Sequence, residues 1–223
     1  MPLPGLLIVR GLFVNFHVLR DGGGLYLLDA GFIGAPALLK RALRVAGWEK
    51  ERLIGIILTH GHLDHILHVG RLARETGAWI AAPRPDAAHY AGAPVYRGAS
   101  RVTGLLERVG RPLLRFQPFT PDRWLDDGDE LDLWDGLRAV HLPGHTPGHT
   151  GFHCASRNLL FCGDLFASYG RFSHLPPAVF NSDSTEIPAS LQKALGLDLQ
   201  GVLPNHGDPA EPAIHLERMR GLA

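Results

Sequence analysis

From Thr59 to His65 the chain reads Thr-His-Gly-His-Leu-Asp-His, which puts four potential metal ligands, His60, His62, Asp64 and His65, within six residues. Imidazoles and a carboxylate crowded this closely are costly to bury unpaired, yet neutral imidazole and ionised carboxylate are the ligands that zinc and similar divalent ions prefer. The ligating atoms of this one turn cannot all reach a single ion, so two ions are implied. The competing reading is a His-rich surface turn that holds no ion. The apolar run Leu53 to Leu58 directly before it reads as a strand. Such a strand, ending at Thr59, leads into a loop at His60 and His62, and a helix starting near Asp64 aims Asp64 and His65 at a second point nearby.

Three more potential ligands stand where predicted strands end. His145 follows a strand finishing near His141, Asp164 follows Leu159 to Cys162, and His206 follows Gly201 to Leu203. Loops leaving a sheet edge are where a rigid scaffold holds functional side chains. With the first cluster they make seven ligands, enough for two ions that share a carboxylate. The remaining histidines take plainer readings. His141, His149 and His153 read as core or hydrogen-bonding groups, His68 as a neighbour of His65 on one helix face, and His17, His89 and His215 as incidental.

The elements that must position these residues follow from periodicity. Leu6 to Val9, Phe13 to Leu19 and Leu25 to Leu28 read as a β-meander with a turn at Asp21-Gly22-Gly23-Gly24. Pro36 opens a helix whose stripe runs through Leu39 and Leu43 to Ala46, and Gly47 stops it. Ile66 to Glu75 reads as a helix stopped by Gly77, Ala78 to Ala82 as a strand, Asp86 to Tyr90 as a weak helix, and Arg101 to Val109 as a helix capped by Ser100. The chain then returns to strand. Asp126-Asp127-Gly128-Asp129 reads as a hairpin turn, Leu131 to Trp134 and Leu137 to His141 as strands, and Gly151 to Cys154 and Asn158 to Cys162 as strands flanking a turn. Helices are expected at Ser184 to Leu195 and Pro212 to Met219, with the strand at Gly201 between them.

Composition limits the rest. At 223 residues and 45% hydrophobic the chain can bury a full core, and with no repeat or linker it reads as one mixed α/β domain over 1–223. Its charge is balanced, 22 basic against 22 acidic residues, so no global field steers a nucleic acid or an anionic membrane. The only two cysteines, Cys154 and Cys162, sit in neighbouring apolar stretches and read as strand packing. With no basic, long apolar leader and no run of about 20 apolar residues, a cytoplasmic protein is expected.

Asp29 in Leu-Leu-Asp-Ala-Gly, His60 to His65, His145 in Leu-Pro-Gly-His-Thr-Pro-Gly-His, Asp164 in Phe-Cys-Gly-Asp-Leu-Phe and His206 in Pro-Asn-His-Gly-Asp-Pro follow one another in an order that resembles the metallo-β-lactamase superfamily over residues 6 to 209. The resemblance implies a four-layer αββα sandwich with a dinuclear centre at one edge. It implies His60, His62 and His145 on one ion, Asp64, His65 and His206 on the other, Asp164 bridging, and Asp29 outside the ligand set or structural. The ions implied are zinc, with iron or manganese also suited to these donors. A hydroxide shared between them would be the nucleophile toward a small acyl substrate, a thioester, lactone or other ester, with Asp64 as proton shuttle or as ligand only. The loop Phe166 to Phe180 could wall the substrate pocket through Tyr169 and His174, or be a plain surface loop.

Departures from the pattern narrow the chemistry. The Pro-Gly-His segment is also similar to glyoxalase II, but 17 residues follow His206 (223 minus 206), so that enzyme's helical substrate domain is not expected. His62 stands where flavodiiron oxygen reductases carry Glu. A persulfide dioxygenase-like oxidoreductase with a single iron is the rival enzyme, and the completeness of Asp64, His65 and His206 argues against it. A non-catalytic metal-binding module is the third reading, and it should have lost ligands.

Overall fold

The computed structural model describes residues 3–223. The first half of the chain forms a six-stranded sheet from β1 (Leu6–Arg10), β2 (Asn15–Asp21), β3 (Gly24–Leu28), β4 (Leu53–Ile57), β5 (Trp79–Pro83) and β6 (Arg123–Leu125), lying side by side in that order. The meander β1 to β3 is antiparallel and β3 to β6 are parallel. Between these strands run α1 (Ala35–Ala46), α2 (Leu63–Ile66), α3 (Val69–Thr76), α4 (Ala87–Tyr90) and α5 (Arg101–Leu113). The second half forms a five-stranded sheet from β7 (Glu130–Leu131), β8 (Leu137–His141), β9 (Thr150–Cys154), β10 (Leu159–Gly163) and β11 (Gly201–Pro204), ordered β11-β10-β9-β8-β7, with α6 (Ile187–Leu195) and α7 (Pro212–Arg220). Only the β10/β11 pair of this sheet is parallel.

Strand periodicity of two sorts side chains onto two faces, and that sorting makes the layers. On β2, Phe16 and Val18 pack toward α1 and α3, while Leu19 faces the other sheet. On β4, Ile56 goes to the helices and Ile57 inward; on β10, Phe161 goes inward and Leu160 and Cys162 join α6 and α7. The result is helix, sheet, sheet, helix, the expected αββα sandwich. Full burial of side chains such as Phe152, Phe161 and Leu28 contributes about 1.5–3 kcal/mol each to the cohesion of the inter-sheet layer.

Helix boundaries follow their glycines. Gly34 and Gly47 both take left-handed backbone around α1, and the Gly47 N–H donates to the carbonyls of Leu43 and Arg44. Gly77 closes α3 in the same way. The helix expected from Ile66 to Glu75 is two pieces instead, a single turn α2 that carries Asp64 and His65, and α3 after a break at Leu67 and His68. His68 Nε2 lies 2.9 Å from the Phe32 carbonyl, to which it donates at the break.

Three readings are corrected. Asp126 to Asp129 is not a hairpin turn, because β6 before it pairs with β5 in the first sheet and β7 after it with β8 in the second. The segment is the crossover between sheets. Leu131 to Trp134 is strand only at its start, since Trp134 and Asp135 adopt φ of 50° and 68°, and Leu133 and Trp134 fold into the inter-sheet core instead. The strand expected from Phe13 begins at Asn15, and Leu12 and Phe13 stand exposed in the loop before it. Cys154 and Cys162 are buried and unpaired, as strand packing predicts. Among the described residues no helix is long and apolar enough to cross a membrane.

Candidate metal centre

The seven residues singled out by type and spacing come together at one edge of the sandwich. Asp164 Oδ2 lies 3.0 Å from His206 Nε2, 3.3 Å from His65 Nε2, 3.4 Å from His145 Nε2 and 3.9 Å from His60 Nε2. His62 Nδ1 and His145 Nε2 are 2.9 Å apart, and Asp64 Oδ2 is 3.6 Å from both His65 Nε2 and His206 Nε2. Three sets emerge whose ligand atoms all lie within 4.8 Å of one another: His60, His62 and His145; His60, His65 and Asp164; Asp64, His65 and His206.

Outer hydrogen bonds fix which nitrogen each ring turns inward. Thr59 Oγ1 donates to Asp29 Oδ2 at 2.7 Å, so it accepts from His60 Nδ1 at 3.0 Å. His65 Nδ1 donates to Asp29 Oδ2 at 3.0 Å, His145 Nδ1 to Asn181 Oδ1 at 3.1 Å, and His206 Nδ1 to the Phe13 carbonyl at 2.8 Å. With the Nδ1 protons engaged outside, four Nε2 atoms point at Asp164. This is the arrangement in which outer partners set the tautomer of ligating imidazoles. His60 Nε2, His65 Nε2 and Asp164 Oδ1 are buried with no hydrogen-bond partner. Buried polar atoms left without partners are costly, and a cation held among them removes the cost. The residues present therefore fit divalent metal.

Electrostatics point the same way. Burial, with His65 and His145 among the neighbours, holds His60 and His62 well below the usual imidazole range. Burial also disfavours charge on His65 and His206, but the Asp164 and Asp64 carboxylates outweigh it and hold both well above that range. Asp164 is driven well below the carboxylate range by His206 and His65 against the opposing effect of burial. The carboxylates thus create a local field that demands positive charge.

Asp29 lies outside the ligand sets and ties them together. It follows β3 in left-handed backbone at φ 62° and is fully buried. Its carboxylate accepts from the Thr59 N–H and hydroxyl, from His65 and from Asn205 Nδ2 at 2.8 Å, joining three segments. His149 plays a comparable role for Asp164. Its Nδ1 donates to the Leu142 carbonyl at 2.8 Å, and its Nε2 accepts the Asp164 N–H at 2.9 Å. Burial lowers its pKa to about 3, so the ring stays neutral and keeps that acceptor.

Several supporting residues had no sequence reading of this kind. Asp86, after β5, accepts from Gly61 N–H at 2.8 Å, the Thr146 hydroxyl at 2.6 Å and Gly148 N–H at 2.7 Å, so one carboxylate pins both histidine-bearing loops. Its signal was its position at a strand end. Glu107 on α5 accepts the Leu63 N–H at 2.8 Å, anchoring α2, and forms a buried pair with Arg111 at 2.6 Å. By spacing alone that i,i+4 pair looks like an ordinary solvated one. Two histidines read as incidental are not so placed. His89 is buried with its ring centroid 5.8 Å from that of His62, and His215 Nδ1 sits 2.6 Å from Ser168 Oγ, beneath the His206 loop. His17 is buried between the sheets against Phe161.

A cavity of about 830 Å³ opens above the centre, with His62, Asp64, His145, Asp164 and His206 at its floor. Tyr169 and His174 stand in its wall, whereas Arg171 and Phe172 of the same loop do not. Phe13, Phe32, Leu106 on α5 and Leu114 just after it add to the wall, and none of them carries a signal of this role in the sequence.

Comparison with known proteins identifies the family. The family model described as the metallo-beta-lactamase superfamily matches residues 9–206. The chain belongs to the metallo-beta-lactamase superfamily. Among superfamily relatives, hydroxyacylglutathione hydrolase GloC of Haemophilus influenzae is 33% identical over 138 residues, 56% of this chain and 60% of that protein. The chain spans about half the length of the curated relatives it matches. A metallo-beta-lactamase family protein of Thermus thermophilus, TTHA1429, superposes with a TM-score of 0.75 over 98% of this chain and 78% of its own, at 21% identity, a likeness of fold. TTHA1623, solved in a di-iron-bound form, gives a TM-score of 0.69 over 96% of this chain and 97% of its own at 26% identity.

Proposed function

We propose that this superfamily member is a metal-dependent hydrolase, one domain over 1–223, that cleaves a small acyl compound: a thioester, a lactone or another ester. His60, His62 and His145 would hold one divalent ion and Asp64, His65 and His206 a second, with Asp164 shared. The observation that carries the reading is the convergence of four Nε2 atoms on Asp164 Oδ2, two of them buried without any other partner. Zinc suits these donors best, and iron or manganese are accepted by the same set. The di-iron form of TTHA1623 supports iron as the alternative.

Bound there, such ions would polarise the acyl carbonyl and bring the pKa of a water molecule close to neutrality. The chain's own residues supply the rest. Asp164 sets the negative charge at the middle of the centre, and Asp29 and Asp86 hold its loops in place. Asp64 is 30% exposed, reaches the cavity and lies beside His65 and His206, which supports a proton-carrying role toward the leaving group beside its role as a ligand. With a substrate seated, the apolar wall would keep bulk water from the reacting atoms. The hydroxyacylglutathione hydrolase relatives favour acyl transfer from sulfur or oxygen to water, and two unpaired buried cysteines suit a reducing, cytoplasmic setting.

Elemental analysis of the purified protein, run beside turnover of a thioester, a lactone and glutathione persulfide, tests the reading. About two ions per chain with ester or thioester cleavage is the expected result. One iron per chain with oxygen uptake on the persulfide would overturn it in favour of an oxidoreductase, and bound metal with no turnover in favour of a binding module.

A further inference from the structure

The wall of the cavity above the centre is predominantly apolar, with Thr103, Tyr169 and His174 among its polar members. Leu12 and Phe13 before β2, Leu106 on α5, and Phe166 and Phe180 of the following loop come to it from three separate segments. Leu12, Phe13, Leu106 and Phe180 remain 76, 58, 63 and 42% exposed, an apolar rim held open to water. Among the described residues no lysine or arginine stands in the wall. Its carboxylates are Asp64 and Asp164 at the floor and Glu107, whose oxygens are engaged by the Leu63 N–H and by Arg111. Arg111 itself is turned away, donating to Glu107 and to the His89 carbonyl.

An anionic substrate arm laid along this wall would lose its hydration with no lysine or arginine there to pair with it. An apolar chain gains from every methylene it removes from water, and the cavity is of the size that encloses a drug-sized ligand. We infer that the substrate is a neutral acyl compound with an extended apolar chain, the chain lying between α5 and the 166–180 loop and its scissile carbonyl above Asp164. This rests on the hydrolase reading and narrows it: the preferred thioester or ester carries its bulk as hydrocarbon on the acyl side, not as a charged thiol carrier such as glutathione.

The test compares kcat/KM of the metal-loaded protein for two neutral thioesters, S-butanoyl- and S-octanoyl-N-acetylcysteamine, with that for S-lactoylglutathione, which is anionic. About fourfold per buried methylene is expected, so the octanoyl compound should exceed the butanoyl compound by tenfold or more and both should exceed S-lactoylglutathione. Leu106→Glu, at an exposed rim position, should shrink the octanoyl-to-butanoyl ratio. A second readout needs no chemistry: octanamide should displace the neutral dye N-phenyl-1-naphthylamine at a tenfold lower concentration than butanamide. Equal rates for both chain lengths, or S-lactoylglutathione as the best of the three, overturns the inference while leaving a hydrolase. No cleavage of any thioester, lactone or ester by protein holding two ions overturns the hydrolase reading, and displacement by octanamide no better than by butanamide overturns the chain inference.

Discussion

Asp86 shows how much of the centre depends on residues that never face it. Its two oxygens serve three donors, two of them backbone N–H groups that cannot turn round. In Asp86→Asn the new NH₂ end must oppose a donor, so the loops carrying His60, His62 and His145 lose their common anchor. The expected outcome is metal affinity weaker by about 10–100-fold with the fold retained, measured by competition with a chromophoric chelator. Asp164→Asn and His62→Ala act on the centre directly and should lose bound metal and turnover while keeping cooperative unfolding, since the sheets supply the core. His17 gives a separate test. Burial, followed by Arg10, lowers its pKa to about 3 from 6.5, so the native state holds it neutral while the unfolded chain takes up a proton below 6.5. Its contribution is present above pH 6.5 and is lost as pH falls toward 3, at about 1.4 kcal/mol per pH unit. His17→Leu should flatten the acid limb of stability relative to wild type in urea midpoints taken between pH 7 and pH 4. At this scale the legible residues were those whose type is rare and clustered, such as His60, His62 and His65. Asp86 and Glu107 escaped because lone carboxylates are common, and only the fold reveals the N–H groups they face.

Among the elements, α5 does the most that its sequence conceals. It walls the cavity through Leu106, and through Glu107 it anchors the first turn of α2, which carries Asp64 and His65. Glu107 and Arg111 are both only 7% exposed in their side chains, so removing one leaves the other's charge buried. Glu107→Ala should destabilise by about 3–5 kcal/mol, and Glu107→Ala with Arg111→Met should recover part of that loss, in paired denaturant titrations. Short apolar runs, some alternating and some continuous, made β2, β4, β8 and β10 legible, and glycines and Pro36 made α1 legible. β6 was not, because three residues with an exposed Arg123 carry no usable period. The turn at Trp134 and Asp135 was hidden for a different reason. Neither residue announces left-handed backbone; Trp134 is held there by its N–H donating to Asp21 Oδ2 at 2.9 Å and by the Arg157 guanidinium 4.1 Å from its ring.

Across the whole molecule, the proposed ligand sets join segments that are distant along the chain, so metal binding at them would be linked to folding. Ions that bind only the native state stabilise it by about 2.7 kcal/mol at a hundredfold excess over Kd. For a chain of this size a 1 kcal/mol change moves Tm by about 2–4 °C. Exhaustive chelation should therefore lower Tm by several degrees in calorimetry, with zinc restoring it. The overall αββα order followed from motif order more than from any single element, whereas the assignment of strands to sheets needed the crossover at Asp126 to Asp129, whose turn residues look the same in a hairpin.

That crossover has one more consequence. The chain passes between sheets there and the five following strands all stay in the second sheet, so His60 and His62 belong to one half of the polypeptide and His145, Asp164 and His206 to the other. Neither half can complete the three-imidazole set by itself. Cut between Asp127 and Gly128 and expressed as two fragments, the protein should act as a coincidence detector: tight metal capture would report that the two pieces have met and docked their sheets, and a mixture that fails to reassemble should not capture metal tightly.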